Sequence, residues 1–250
     1  MKIAVCISHV PDTAAKINIG SDQKSIDQNG VTYIINPYDE FGIEEALKQK
    51  EKFGGDSEVI ILSVGGDANK ESIRKALAMG ADRGIILKDE NPKDSFSIAS
   101  ILADEIKALG CELVFFGKQS VDYDNSITGQ LTAELLNYSC ISVVVSLNID
   151  GNKVLAEREI EGGKEIVESK LPIVITTQKG LNEPRYASLK GIMSAKKKVI
   201  EEKPALAVNN LTEVIKMSRP PAKKAGRILG SDSSAVPELV KLLHEEAKVI

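Results

Sequence analysis

Apolar and polar positions follow two rhythms along this chain, and the switch between them predicts its elements. Ile3-Ala4-Val5-Cys6-Ile7 is a continuous apolar run, the pattern of a strand covered on both faces. Val10-Pro11-Asp12-Thr13 interrupts it, and polar residues 19–30 form a hairpin or loop excursion before Tyr33-Ile34-Ile35. A helix follows, with Phe41, Ile43, Ala46 and Leu47 on one face and Glu44, Glu45, Lys48 and Lys50 around the others. Gly54-Gly55 ends it. The order then repeats. A strand over 58–64 closes at Gly65-Gly66, and a helix over Asn69–Met79 ends at Gly80. A strand over 84–87, a helix over 97–109 and a strand over 113–116 come next. Strands alternating with helices predict an α/β fold with a doubly wound, mainly parallel sheet.

After Cys140 the helical rhythm stops. Val143-Val144-Val145-Ser146-Leu147-Asn148-Ile149 and Lys153-Val154-Leu155-Ala156-Glu157-Arg158 flank the hairpin turn Asp150-Gly151-Asn152. Glu165-Ile166-Val167-Glu168 and Ile173-Val174-Ile175-Thr176-Thr177 read as further strands, so antiparallel structure is added to the parallel sheet. From Lys196 the chain is charged and broken by Pro204 and Pro220-Pro221. No sustained apolar period returns until residues 236–243, a short amphipathic helix carrying Val240, Leu242 and Leu243. The expected organisation is an α/β domain over 1–195 and an extended C-terminal arm over 196–250 that packs on a partner. A flexible tail is the other reading of the arm, and the terminal apolar residues weigh against it.

One loop stands out. Gly117-Lys118-Gln119-Ser120-Val121-Asp122-Tyr123-Asp124-Asn125-Ser126-Ile127-Thr128-Gly129-Gln130 follows the strand Leu113-Val114-Phe115-Phe116 and precedes the helical Leu131-Thr132-Ala133-Glu134-Leu135-Leu136. Open α/β sheets bind ligands at such strand-to-helix loops. Helix-start amides hold anions, small Gly117 and Gly129 allow close backbone approach, and Ser126 and Thr128 add hydroxyls. An ordinary well-capped turn is the plainer reading. Asn36-Pro37-Tyr38-Asp39 also follows a strand and shares that rim in a parallel sheet, placed to close over an adenine or ribose.

Composition narrows the function classes. The 250 residues allow one large domain, or one domain plus an appendage. A net charge of -4, few aromatic residues and no Trp argue against a nucleic-acid surface. No apolar run approaches the roughly 20 residues that span a bilayer. Cys6, Cys111 and Cys140 have no metal-ligand spacing and are expected to be reduced core residues. A start at Lys2 that runs straight into a strand leaves no room for a signal peptide, so a cytosolic or matrix setting is expected.

A catalytic centre is hard to find. His9 and His244 are isolated, and no Ser, His and acid set suggests a triad. Gly65-Gly66-Asp67 and Gly162-Gly163-Lys164 match neither a Walker loop nor the dinucleotide fingerprint. Asp122 and Asp124 could hold a magnesium-bound phosphate or accept loop amides. The run Gly180-Leu181-Asn182-Glu183-Pro184-Arg185-Tyr186-Ala187-Ser188-Leu189-Lys190-Gly191-Ile192-Met193, followed by Lys196-Lys197-Lys198, sets apolar side chains in a polar rim. That is the design of a protein-docking loop, or else a solvated basic helix end.

Several motifs together resemble the beta-subunit family of electron transfer flavoproteins. Ala156-Glu157-Arg158-Glu159-Ile160-Glu161-Gly162-Gly163-Lys164-Glu165-Ile166-Val167, continuing to Leu171-Pro172-Ile173-Val174-Ile175-Thr176, looks like the family signature. Ala76-Leu77-Ala78-Met79-Gly80-Ala81-Asp82-Arg83-Gly84 and Leu181-Asn182-Glu183-Pro184-Arg185-Tyr186 are similar to family landmarks. The resemblance covers nearly the whole chain. It implies a Rossmann-like fold of the adenine-nucleotide-binding type and an electron-carrier subunit rather than an enzyme. It implies a heterodimer with an alpha subunit that holds most of the redox FAD, while this chain binds AMP. The run from Gly117 to Gly129 then forms the phosphate-binding stretch, and Cys6, Asn36, Pro37, Tyr38, Asp39 and Val64 fall at the other nucleotide-contact positions. Leu189, Ile192 and Met193 would anchor acyl-CoA and other flavin dehydrogenases of fatty acid oxidation, with a membrane quinone oxidoreductase as acceptor. Tyr38 would approach the partner's flavin edge.

Departures from the family pattern fall at Tyr123 and at Ser126-Ile127. A second branch of the family binds FAD in the same pocket and bifurcates electrons with NADH. Thr128-Gly129-Gln130 resembles the AMP-binding branch, whereas Pro11-Asp12-Thr13 and Asp39 occur in both. From a different class, a nucleotide-hydrolysing or adenylating enzyme on this fold would rest on Lys118. A regulatory nucleotide sensor would leave the Asn182 to Met193 segment and the arm unexplained.

Overall fold

The first strand, β1 (Lys2–Cys6), divides its side chains between two cores, Ile3 and Val5 to one and Ala4 and Cys6 to the other. That division is why its run is apolar throughout: with helices on both sides of a sheet, neither parity faces water. The computed structural model describes every residue except Pro92 and Lys224. The chain forms two compact units, Met1–Ile215 and Lys216–Ile250.

In the first unit β2 (His9–Pro11), β3 (Asn18–Ile19), β4 (Ile26–Asp27) and β5 (Tyr33–Ile35) form two short antiparallel pairs, β2 with β5 and β3 with β4. Next come α1 (Pro37–Phe53), β6 (Glu58–Gly65), α2 (Asn69–Met79), β7 (Arg83–Lys88), α3 (Ser95–Leu109) and β8 (Leu113–Gly117). They are followed by α4 (Thr128–Leu136), β9 (Ser139–Asp150), β10 (Lys153–Ile160), β11 (Gly163–Lys170), β12 (Ile173–Thr177), α5 (Leu189–Lys197) and β13 (Ile200–Pro204). The main sheet runs β11-β10-β9-β12-β8-β1-β6-β7-β13. From β9 to β13 the neighbours are parallel, and β10 and β11 extend the sheet antiparallel, as expected from the change of rhythm after Cys140.

Ile43 and Leu47 of α1 and Ile73 and Leu77 of α2 fill the core that holds Val5, Phe115 and Ile175. Ile101 and Ile106 of α3 and Ala133 of α4 fill the one that holds Ala4, Leu62 and Val114. Each of the Ile, Leu, Val and Phe side chains among these, fully buried, contributes about 1.5–3 kcal/mol. Helix ends follow local chemistry. Asp94 caps α3 through the amide of Ser97 at 2.8 Å, while its other oxygen accepts the amides of Leu211 and Thr212. Burial opposes ionisation there, but the amides of Ser97, Thr212 and Leu211 prevail and hold the Asp94 carboxyl down at about 2.

Two expectations change. The domain boundary expected after Ala195 falls inside the first unit, because β13 lies beyond it and pairs with β7 from Ile200↔Gly84 to Pro204↔Lys88. Cys6 and Cys111 are core residues, whereas Cys140 is exposed. It sits at the start of β9, where the strand carries its burial at Ile141 and Val144 instead. The second unit contains α6 (Val236–Leu242), where the apolar period placed a helix. None of its residues is buried within this chain.

Candidate functional site

The strand order reverses between β1 and β8. From β1 the chain winds outward through β6 and β7, then returns to β8 on the other side of β1. The connections leaving β1 and β8 therefore diverge, and a crevice opens at the carboxyl ends of the two strands. Asn36 to Asp39 and the Gly117 loop border it.

A buried carboxylate ties those borders together. Asp39 stands in the first turn of α1 and is 4% exposed. Its Oδ2 accepts the amide of Ser8 at 2.7 Å, and its Oδ1 accepts the amide of Gly117 at 3.0 Å and Nδ2 of Asn36 at 2.9 Å. Asn36, fully buried, also donates to the carbonyl of Gln119 at 2.8 Å and accepts the amide of Val121 at 3.1 Å. So the exit of β1, the start of α1 and the exit of β8 share one hydrogen-bond network. The side chains of Asn36 and Asp39 are hydrogen-bonded within it and brace the rim of the crevice. Burial drives the Asp39 carboxyl up to about 7, against the bonds from Ser8, Asn36 and Gly117 that favour its charge.

Beyond Gln119 the loop folds on itself. Nε2 of Gln119 donates to Asp124 at 2.6 Å, and the Ser126 hydroxyl donates to Oε1 of Gln119 at 2.8 Å. Asn125 reaches the Ser95 hydroxyl at 3.1 Å. Asp124 and Ser126 take left-handed backbones, φ 52° and 53°, a strained choice for side-chain-bearing residues. Residues 122–127 are exposed. The loop delivers the chain to α4, whose N-cap residue is Ile127. Ile127 has no capping oxygen, so the first-turn amides of Thr128, Gly129 and Gln130 are left to a ligand or to water.

Gly117 and Gly129 serve packing. A Cβ on Gly117 would strike Oδ1 of Asp39 and lie 2.7 Å from Cβ of Tyr38. On Gly129 it would lie 2.7 Å from Cγ2 of Thr176 and 3.4 Å from the Phe116 ring. The close approach expected of both glycines is thus made by neighbouring protein elements. Cys6 and Val64 meet in the α3/α4 core beside Phe116, under the crevice, and burial pushes the Cys6 thiol well up. Pro37 opens α1, and Lys118 lies over the Tyr38 ring, 5.0 Å from its centre. Asp122 accepts the amide of Tyr123, and no acidic cluster able to hold a metal occurs among the described residues. Ser120 contributes its carbonyl to the turn at Asp124. His9 stacks on Tyr33 and bonds Ser72, a structural role.

The apolar trio lies on a helix, not a loop. Leu189 begins α5 at 83% exposure, with Ile192 at 42% and Met193 at 67%. The run before it is clamped to α1. Arg185 donates to both oxygens of Glu44 at 2.8 and 3.0 Å and to Glu51 at 2.7 Å. Asn182 donates to the Phe41 carbonyl and to Glu45, both at 3.0 Å. Glu44 and Glu45, expected on the solvated side of α1, are buried for this reason. Thr176 and Thr177 escaped the sequence reading because they end an apolar strand. The Thr177 hydroxyl sits 2.9 Å from the Tyr38 carbonyl and 3.1 Å from that of Phe116. The Thr176 hydroxyl accepts the amide of Val143, a β-branched residue at φ 61°.

Residues 24–208 match the family model of the electron transfer flavoprotein domain. Over the whole of both chains the sequence is 38% identical to the electron transfer flavoprotein subunit beta of Bacillus subtilis (strain 168). It is 38% identical to the mitochondrial electron transfer flavoprotein subunit beta of Oryza sativa subsp. japonica, again over the whole of both. To the subunit beta of Mus musculus it is 38% identical over 90% of this chain and 91% of that one. This chain belongs to the electron transfer flavoprotein beta-subunit family.

Proposed function

We propose that this chain binds AMP in the crevice between β1 and β8, pairs with an alpha subunit that holds most of the FAD, and presents α5 to flavin dehydrogenases. The uncapped start of α4, opening onto the strand-order reversal, is the observation that supports the nucleotide most directly. The residues fit AMP. The amides of Thr128, Gly129 and Gln130 and the hydroxyl of Thr128 would face the phosphate, where the helix dipole favours an anion, and the Ser126 hydroxyl would join them by giving up its bond to Gln119. The backbone of Asn36 to Asp39, with Cys6 and Val64 beneath, would form the wall against adenosine. Bound FAD supplies the redox chemistry. This chain's own work is to hold the subunit pair in shape and to meet partners.

In this reading the partners are acyl-CoA and other flavin dehydrogenases as donors and a membrane quinone oxidoreductase as acceptor. The setting is a bacterial cytoplasm or a mitochondrial matrix. The second unit, with exposed Val236, Leu239 and Val240 on α6, is the arm that packs on the alpha subunit. The test is to release the nucleotide from purified native heterodimer and identify it by mass spectrometry. One AMP per complex, beside one FAD, is expected. A second FAD and no AMP would place the chain in the bifurcating branch.

A further inference from the structure

We infer that Arg74, on α2, fixes α5 in its docking geometry and is a positioning residue for partner recognition. The inference rests on the docking role proposed above. Its starting point is that α5 has little reason to be a helix. Of its nine residues only Ala195 is buried. Its large apolar side chains, Leu189, Ile192 and Met193, are exposed. A helix this short is marginal in water, and most helices are held by an apolar face that this one turns outward.

Polar contacts to α2 and the turn after it replace that face. Nη1 of Arg74 donates to the carbonyls of Ala195 and Lys198, both at 2.5 Å. These are carbonyls at the C-terminal end of α5, where the helix gathers partial negative charge, so the guanidinium meets both hydrogen-bonding and electrostatic demand. Nζ of Lys198 returns a bond to the carbonyl of Ala81 at 2.5 Å. At the other end the Ser188 hydroxyl caps the amide of Gly191 at 3.0 Å, and Gly191 lies so close to the Ala78 carbonyl that a Cβ would strike it. Among the described residues no carboxylate forms an ion pair with Arg74, so its charge is directed at α5. Ordering a rotamer-rich segment during an encounter costs conformational entropy, and a helix already clasped avoids that cost.

Arg74→Met, which keeps the aliphatic stem, and Arg74→Lys, which keeps the charge but loses the planar fork, separate this role from bulk stability. Two readouts are needed in the purified heterodimer: amide hydrogen exchange over residues 189–198, and flavin reduction titrated with an acyl-CoA dehydrogenase. Arg74→Met should speed exchange over 189–198 and raise the half-saturating dehydrogenase concentration about tenfold, equivalent to roughly 1.4 kcal/mol. The saturated rate and the bound nucleotide should not change, and Arg74→Lys should fall between. Native exchange over 189–198 in Arg74→Met overturns the inference, as does a lower saturated rate at unchanged half-saturation. Leu189→Ala, run in parallel, tests the docking reading itself. If Leu189→Ala shifts half-saturation and Arg74→Met does not, docking stands and the role of Arg74 is refuted. If Leu189→Ala has no effect, docking fails, and the exchange data alone decide whether Arg74 orders the helix.

Discussion

Oδ1 of Asp39 accepts the amide of Gly117 at 3.0 Å, and this bond joins the first turn of α1 to the end of β8. Asp39→Asn keeps the volume but sets an N–H group against amides that need an acceptor. A buried donor left unpaired costs about 1–3 kcal/mol. The Gly117 loop should loosen and bound AMP should fall about tenfold, the effect of roughly 1.4 kcal/mol. Nucleotide content of the purified variant heterodimer is the measurement. Native content would mean that the network does not shape the crevice.

The same carboxyl predicts a pH dependence. It stands at about 7 in the folded chain against a reference of 3.8. Burial is the main cause, Asp122 adds to it, and the bonds from Ser8, Asn36 and Gly117 oppose it. Between the two values the folded form holds a proton that the unfolded form has lost. Through this group, stability is therefore greatest below about 4, declines as pH rises towards about 7, and is constant above that. The difference in melting temperature between native protein and Asp39→Asn, followed from pH 4 to 8, should shift in that window against the native protein. A flat difference means that Asp39 carries one charge in both states.

Gly129→Val should release the nucleotide. Gly129 has no left-handed φ, so the cause is steric: its Cβ would stand 2.7 Å from Thr176 and push α4 off the sheet. Overpacking of this kind costs about 1–3 kcal/mol. Loss of AMP with a lowered melting temperature is expected, and Gly129→Ala should do the same more mildly. Unchanged AMP in both variants would detach the start of α4 from the nucleotide.

Leu189→Ala should affect partners only. At 83% exposure the side chain contributes little to the fold, within about 0.5 kcal/mol. Dehydrogenase-dependent flavin reduction at sub-saturating partner should fall by at least about tenfold, as for an anchor worth roughly 1.4 kcal/mol. Flavin and AMP content should stay native. A rate equal to that of the native protein removes the anchor assignment.

Arg185→Leu should be felt in stability. It leaves Glu44, with 8% of its side chain exposed, without its cation. Breaking a buried pair costs about 3–5 kcal/mol, and the 35% exposure of Arg185 brings the expected loss down to about 2–3 kcal/mol. For a domain of this size that is a fall in melting temperature of roughly 5–10 °C. Arg185→Lys should recover part of it. A change below about 1 °C would show that solvent replaces the clamp.

The elements were legible because periodicity reports burial. The Ile3 to Ile7 run and the Asn69–Met79 helix stand where the pattern puts them. Asn36 to Asp39 and the Gly117 loop meet as a parallel sheet requires, but the pattern does not tell which side chains the fold consumes. The hydrogen bonds by which Asn36 and Asp39 brace the two rims are visible only in space. Glu44 and Glu45 look solvated because their partners, Arg185 and Asn182, lie far along the chain. The α5 helix was hidden for the opposite reason. Its apolar residues face out, so no buried stripe announces it. β13 follows a Lys-rich stretch and has an alternating, half-exposed pattern that suits a sheet edge and resembles a charged linker.

The route of the chain from β12 to β13 sets limits on variation. Those strands lie on opposite sides of β8, β1, β6 and β7, so residues 178–199 must cross five strand spacings, about 24 Å at the usual separation. Both ends are sewn into the same sheet, at Thr177 and at Ile200. Exposed side chains along this bridge, such as Leu189 and Met193, can be exchanged without disturbing the strands. Its anchor points cannot. Extended, 22 residues reach about 70 Å, far more than the span, so length is not what constrains this bridge. Asn182 and Arg185 must stay where they meet Glu45 and Glu44, and insertions or deletions are confined to the stretches between such anchors.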